Sequence, residues 1–449
     1  MAISPIHFRF SHGAARFALC AALLSAGAIA LSKTQPAYPD ARASDAVTLA
    51  WMVGSPPPPD KIISFQDGSY YRFPQLRWTF SHWRELTPTV AVSRGSRPAH
   101  RLPYALRPEI DAIKFTPIGG AQAMTWEQSL DANYTDGIVV LHRGRIVYER
   151  YLGALAPEGQ HIAFSITKSF FGTIAAMLIE EGRLDDQALV TRYLPELKDS
   201  AFGDATVRQV LDMTTAMKFS ERYADPTAEV WNFARASGQI PSPLGYQGPR
   251  SLYEYLPTIV KEGEHGRGFT YRSPNSEVLV WLIRRVTGKS AALNLQERIW
   301  ERLGVEQDAY IHVDPHGNAV GAGGLNLGLR DLARFGEMMR LDGVLGGRRV
   351  VPARVVAQIR RGADREQFKT GGYTALPGWS YHDQWWISHD DHGAFSARGV
   401  HGQAIYIDPL AEMVIARFAS HPLAGNAAID PTSLPAYRAL ADHLLRKSR

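Results

Sequence analysis

At 449 residues, 45% hydrophobic and 21% charged, the chain is long enough to bury a large core, and its length favours two or three domains. The formal charge is +5; setting aside Arg9 and Arg16 in the first 31 residues leaves 47 basic against 44 acidic side chains, or +3. That excess is too small and too scattered for a nucleic-acid surface. The only cysteine, Cys20, lies in the same first stretch, so the rest of the chain has no disulfide framework.

The chain opens like a targeting segment. Arg9 and Arg16 form a basic start, Phe17 to Leu31 is an apolar run of 15 residues, and Ala28-Ile29-Ala30 offers a small-x-small cleavage site. Residues 1–31 therefore read as a signal peptide, with a retained membrane anchor as the alternative. Periplasmic or secreted localisation follows from the first, and membrane association through residues 17–31 from the second. Pro36, Pro39 and Pro56-Pro57-Pro58-Pro59 mark 32–120 as an N-terminal extension with a semi-rigid extended linker. No internal repeat is visible.

Gly137 to Tyr151 then reads as a hairpin that turns at Arg143-Gly144. Next comes Ser165-Ile166-Thr167-Lys168, an S-x-x-K tetrad opening a segment that is apolar almost all round: Phe170, Phe171, Ile174, Ala175, Met177, Leu178 and Ile179. That is the pattern of a buried helix. Positions i and i+3 share a helix face, so hydroxyl and amine can exchange a proton. Serine needs an adjacent base, and lysine serves once burial lowers its pKa. S-x-x-K also occurs by chance at solvated helix starts, so the buried context carries the weight. Thr206-Val207-Arg208-Gln209 is a capping box. Residues 206–314 read as mainly helical, with a Pro/Gly-rich loop at 238–250. Tyr271-Arg272-Ser273-Pro274-Asn275 leads into a helix that Gly288 ends. Tyr271, beside a lysine ammonium, would be pushed toward phenolate and shuttle the serine proton; without the tetrad a core tyrosine is the preferred reading. Gly321-Ala322-Gly323-Gly324 leads into another helix. Gly399-Val400-His401-Gly402-Gln403 precedes a hairpin over 404–418, and Leu434 to Leu445 forms a last helix. A glycine-bearing strand can approach the serine and offer a backbone N–H to an oxyanion. Strands near both ends, with helices between, predict one antiparallel sheet built from both parts of the chain.

The order S-x-x-K, Y-x-S, Gly-rich hairpin resembles the serine β-lactamase and penicillin-binding superfamily, whose motifs are S-x-x-K, S-D-N and K-T-G. A tyrosine stands where class A enzymes carry S-D-N, which resembles the class C and carboxylesterase branch. Arg77-Trp78-Thr79-Phe80, Glu85 to Arg94, Gln209-Val210-Leu211-Asp212-Met213, Asp225 to Val230, Gln384-Trp385-Trp386 and Val400-His401-Gly402-Gln403 are similar to 6-aminohexanoate-dimer hydrolases. The similarity runs from about Arg77 to the C-terminal helix. It implies an α/β sandwich of the β-lactamase/DD-peptidase type, with a central antiparallel sheet flanked by helices. The α/β domain would span 121–205 and 315–449, interrupted by a helical lobe at 206–314. It implies Ser165 as nucleophile, Lys168 as base, Tyr271 as proton relay, and the Ser165 and Val400 N–H groups as oxyanion donors. It also implies a serine hydrolase of esters or linear amides that needs no cofactor or metal. The alternative is a penicillin-recognising protein, or a DD-peptidase or β-lactamase with slow deacylation. Phe219 stands where amide-cleaving relatives are expected to carry a tyrosine, which favours esters. Phe219, Asn275 and His401 are candidate substrate-binding residues, although His401, beside glycines, reads equally as structural. Lys369-Thr370-Gly371 spells K-T-G without a strand after it, so the counterpart is placed at Arg398-Gly399-Val400. His389-Asp390-Asp391-His392 reads as a solvated turn before a metal site. Trp231, Trp385 and Trp386 are pocket or core residues.

Overall fold

The computed structural model describes residues 38–447; the apolar leader lies outside them. Strands of the two larger sheets are β1 (Thr89–Val92), β2 (Thr135–His142), β3 (Arg145–Tyr151), β4 (Gln160–Ile162), β5 (Ala309–His312), β6 (Leu325–Gly328), β7 (Ser380–His382), β8 (Trp385–Ile387), β9 (Phe395–Arg398), β10 (Ala404–Asp408) and β11 (Met413–Ala419). The helices that matter most are α1 (Trp126–Ala132), α2 (Ile166–Glu180), α3 (Val207–Leu211), α4 (Pro274–Thr287), α5 (Leu329–Arg340) and α6 (Asp430–Arg446).

The main sheet has seven strands in the order β7-β8-β9-β10-β11-β2-β3, and every neighbouring pair is antiparallel. As the hydrophobic patterning predicts, its N-terminal hairpin joins the C-terminal strands, here through β11 and β2. Strand β2 is buried along its whole length, and its apolar residues alternate between two cores. Val139 and Leu141 face the cluster that holds α2 and α5. Ile138 and Val140 face α1 and α6 with Trp126, Leu130 and Leu440. This period-two alternation gives a sandwich with helices on both faces. Gly336 sets how closely α5 sits: a Cβ there would lie 2.6 Å from Val414 Cγ1 and 2.9 Å from Ile405 Cγ2.

Both capping boxes that begin helices are made. Thr125 and Gln128 satisfy each other's backbone at α1, as do Thr206 and Gln209 at α3. Helix α4 ends on Gly288 at φ 70°. The second sheet runs β1-β5-β6-β4. It sets β4, which leads into Ser165, against β6, which leaves the Gly321–Gly324 turn.

The stretch read as an extended linker is folded. Ala46, Ile63, Tyr70, Leu76, Trp78, Phe80 and Trp83 form a buried cluster with Ile162 and Phe164. Four aromatic rings carry enough apolar surface to hold a proline-rich segment against the body. Residues 39–447 lie within one compact unit.

Candidate active site

Ser165 is buried at the start of α2, and its neighbour Phe164 has a φ of 44°. A bulky residue in the left-handed region is strained and persists only where its surroundings fix it. Here Phe80, at a ring-centroid distance of 4.9 Å, Tyr71 at 6.4 Å and His401 at 5.7 Å enclose the Phe164 ring. Thr167 Oγ donates to the Phe164 carbonyl at 2.6 Å and accepts the Leu325 N–H at 3.1 Å. The turn carrying the serine is thereby tied to β6.

Lys168 Nζ lies 2.8 Å from Ser165 Oγ and donates to the Ala322 carbonyl at 2.6 Å. The side chain is 1% exposed. Among the described residues no carboxylate lies within ion-pair distance of it. Burial lowers its pKa from 10.5 to about 8, with Glu221 and Glu277 pulling the other way. Desolvation therefore makes a useful fraction of neutral amine near neutral pH, which a general base requires.

Tyr271 is half-buried, within hydrogen-bonding reach of the Ser165 side chain, and its ring lies 5.1 Å from Lys168 Nζ. It stacks on Trp386 at 5.5 Å and meets Tyr381 edge-on at 5.9 Å. Its ionisation differs from the expectation of a phenolate. Burial, then the Glu221 carboxylate, push the phenol well above its ordinary pKa of 10.0, outweighing the hydrogen bond to Ser165. Tyr271 is thus a neutral hydroxyl that can take and give a proton.

Gly399 ends β9 against Ala163, where a Cβ would lie 2.8 Å from the Ala163 carbonyl oxygen. Only glycine allows this approach, and it carries Val400 to the serine. Among the described residues, neither the Ser165 nor the Val400 N–H makes a hydrogen bond. Both residues line two cavities. One holds about 60 Å³, with Tyr71, Trp83, Trp231 and Phe233 among its walls. The other is a cleft of about 600 Å³, walled by Tyr271, Tyr373, Trp386 and Arg398. Ser165 sits where they meet, so a substrate has one side for each part of a scissile bond.

The candidate substrate-binding residues are placed elsewhere. Phe219 is buried against Phe233, with ring centroids 6.1 Å apart, and lines neither cavity. The residue of that loop facing both is Tyr223, whose hydroxyl donates to Glu221 at 2.8 Å. The four-residue offset arises because Met217 and Phe219 turn into the core before the loop crosses the cleft. Asn275 is fully buried, accepts from Thr215 Oγ at 2.7 Å and donates to the Arg272 carbonyl at 3.2 Å. His401 is locked through Nδ1 to the His421 carbonyl at 2.6 Å and through Nε2 to Tyr71 Oη at 3.1 Å. Burial lowers its pKa to about 4. It acts as a buried prop for the Val400 turn.

The literal K-T-G has no strand after it, yet Gly371 to Leu376 wall the larger cleft, a role that the loop-like composition does not signal. Of the three tryptophans, Trp231 and Trp386 line cavities, while Trp385 is core and donates to Thr173 Oγ at 3.1 Å. The residues of His389–His392 disperse: His389 pairs with Ser380, His392 with Asp408 and Asp391 with Arg438. Among the described residues, one other group has metal-ligand types close together, Asp212, His382 and Asp383. There the Arg208 guanidinium lies 2.6 Å from Asp383 and 3.3 Å from Asp212 and already supplies the cation.

Comparison with known proteins identifies the family. The Beta-lactamase family model matches residues 126–434. A 6-aminohexanoate-dimer hydrolase of Paenarthrobacter ureafaciens is 37% identical over 355 residues, covering 79% of this chain and 88% of that protein. A solved Bacillus anthracis structure, provisionally assigned as a 6-aminohexanoate-dimer hydrolase, is 33% identical with a TM-score of 0.79, covering 87% of this chain and 99% of that one. EstCE1, a hydrolase with promiscuous acyltransferase activity, shares the fold at 16% identity and a TM-score of 0.55, covering 69% of this chain and 96% of that one.

Proposed function

The chain belongs to the Beta-lactamase family, and from that premise we propose that it is a serine hydrolase acting on carboxylic esters or linear amides through an acyl-enzyme. The observation that carries the reading is the buried Lys168 amine, 2.8 Å from Ser165 Oγ and without a carboxylate partner. In the proposed cycle neutral Lys168 takes the Ser165 proton as Oγ attacks the carbonyl carbon. The oxyanion is received by the N–H groups of Ser165 and Val400. The proton passes through the Tyr271 hydroxyl to the leaving oxygen or nitrogen, and the carbon–heteroatom bond breaks. Water then attacks the acyl carbon, and Ser165 recovers its proton as the acid leaves.

The 6-aminohexanoate-dimer hydrolase relationship supports a linear amide as one substrate class. Tyr223 supports it further: it lines both cavities, and its hydroxyl, which donates to Glu221, keeps lone pairs that can accept the N–H of a bound amide. The expectation that esters are preferred rested on Phe219, which lies in the core and lines neither cavity.

The test is pre-steady-state hydrolysis of p-nitrophenyl butyrate, alongside the 6-aminohexanoate linear dimer. A burst followed by steady turnover is expected, and both must vanish in Ser165→Ala. A burst with no turnover would replace the hydrolase by a penicillin-recognising protein that only acylates. Undiminished turnover in Ser165→Ala would remove the mechanism altogether.

A further inference from the structure

Glu277 is a buried carboxylate that the proposed cycle does not use. It lies on α4, 2% exposed, facing the backbone of the Gly321–Gly324 turn. Its two oxygens accept the Gly321 N–H at 3.0 Å and the Ala322 N–H at 2.7 Å. The Ala322 carbonyl is the second acceptor of Lys168 Nζ, at 2.6 Å. The turn reaches α4 because residue 321 is glycine: a Cβ there would lie 2.2 Å from Val280 Cγ2. A backbone segment with two adjacent N–H groups pinned by one carboxylate cannot rotate its carbonyls freely.

We propose that Glu277 is a positioning residue for the amine base, holding the Gly321 and Ala322 amides so that the Ala322 carbonyl aims Lys168 Nζ at Ser165 Oγ. The proposal rests on the serine-hydrolase reading and assigns the carboxylate a second effect on the same amine. Lys168 and Asp314 are the charged groups that act on Glu277, and Tyr253, with Arg284 beside it, lies within its influence. Glu221 acts on Lys168 from the cleft side. Burial raises Glu277 from 4.5 to about 7, against the pull of the two N–H groups and of Lys168. Its charge therefore changes within the range where Lys168 loses its own proton, and the two titrate as a coupled pair. A negative Glu277 favours the ammonium, and removing that charge favours the free amine.

The proposal is tested by the rate at which a fluorophosphonate labels Ser165, measured against pH in wild type, Glu277→Gln and Glu277→Asp. Labelling needs only the nucleophile and its base, so it is independent of deacylation, and counting labelled sites corrects for misfolded protein. Glu277→Gln keeps the shape but turns an amino group toward one of the two N–H groups. Its labelling should be roughly 10- to 100-fold slower, and the acidic limb of the profile should move to lower pH. Glu277→Asp keeps the charge on a shorter arm, so its limb should stay in place while labelling slows. Should Glu277→Gln fail to fold, Glu277→Asp decides alone: labelling as fast as wild type overturns the proposal. A Glu277→Gln limb that stays in place leaves the residue merely structural and also overturns it. Wild type that is not labelled at all removes the serine-hydrolase reading, and this role with it.

Discussion

Two cations, Lys168 on α2 and Arg208 on α3, meet opposite fates. Lys168 is fully buried with a hydroxyl and a carbonyl as its hydrogen-bond partners, and burial drives it toward the free amine. Arg208, 17% exposed, meets Asp186, Asp212 and Asp383 at 2.8, 3.3 and 2.6 Å. Those carboxylates hold its pKa above the ordinary value despite the desolvation that opposes them. Desolvation thus lowers the pKa of one cation, while the other stays a permanent charge. What differs is the supply of counter-charge, together with the chemistry of the groups: an ammonium gives up its proton on desolvation, and a guanidinium does not.

The contrast can be broken by substitution, beginning with the base. Lys168→Met should lower ester hydrolysis by roughly a thousandfold or more. It should also hold or raise thermal stability, because a lysine held at about 8 rather than 10.5 costs up to about 3 kcal/mol at neutral pH. A lower melting temperature in calorimetry would show that the amine is a net stabiliser. Tyr271→Phe should lower kcat by roughly 100- to 10,000-fold with little change in KM. Combined with Lys168→Met it should be scarcely worse than the lysine variant, since the two act as a unit; fully additive losses would make the tyrosine structural. Arg208→Met should do the reverse, destabilising by about 3–5 kcal/mol by removing the cation that three carboxylates share, with kcat per folded molecule nearly unchanged. Chemical denaturation and active-site titration on one preparation separate these outcomes.

Smaller effects sharpen the same contrast. Tyr223→Phe should cost linear-amide hydrolysis roughly 5- to 150-fold, equivalent to about 1–3 kcal/mol, and esters less. Phe219→Tyr should bury an unpartnered hydroxyl, lower stability and leave amide hydrolysis where it was; a gain there would return Phe219 to the site. In wild type, kcat/KM should rise with pH through about 8, because only the neutral amine accepts the serine proton. A profile already flat at pH 6 would place the amine's pKa lower still.

Much of this was legible in the residues, for identifiable reasons. The tetrad could be read because Ser165 and Lys168 are three apart on a helix whose every face is apolar. The Gly399 approach could be read because a strand glycine beside a turn signals close backbone contact. The main sheet followed from the alternation in β2 and the hairpin at β10 and β11. Phe219 misled because position in an irregular loop carries no periodicity: which of two aromatics four residues apart faces the cleft depends on where the loop turns inward. The phenolate expected of Tyr271 looked only to the neighbouring lysine, whereas burial of the ring and the Glu221 carboxylate push its pKa the other way. Glu277 stayed invisible because its partners are backbone N–H groups 44 and 45 residues away, which leave no mark on side-chain pattern.

The aromatic cluster of residues 46–83 bears on where this protein can be cut. The family match begins at residue 126, and trimming to that boundary would be a natural choice for expression. Tyr71 and Trp83, however, wall the smaller cavity, and Tyr71 with Phe80 braces the strained Phe164 and His401. A chain shortened to residue 126 would keep Ser165, Lys168 and Tyr271 and lose these walls and braces. Removal of residues 46–83 is therefore expected to lower activity relative to the full chain, which side-by-side assays of the two would measure.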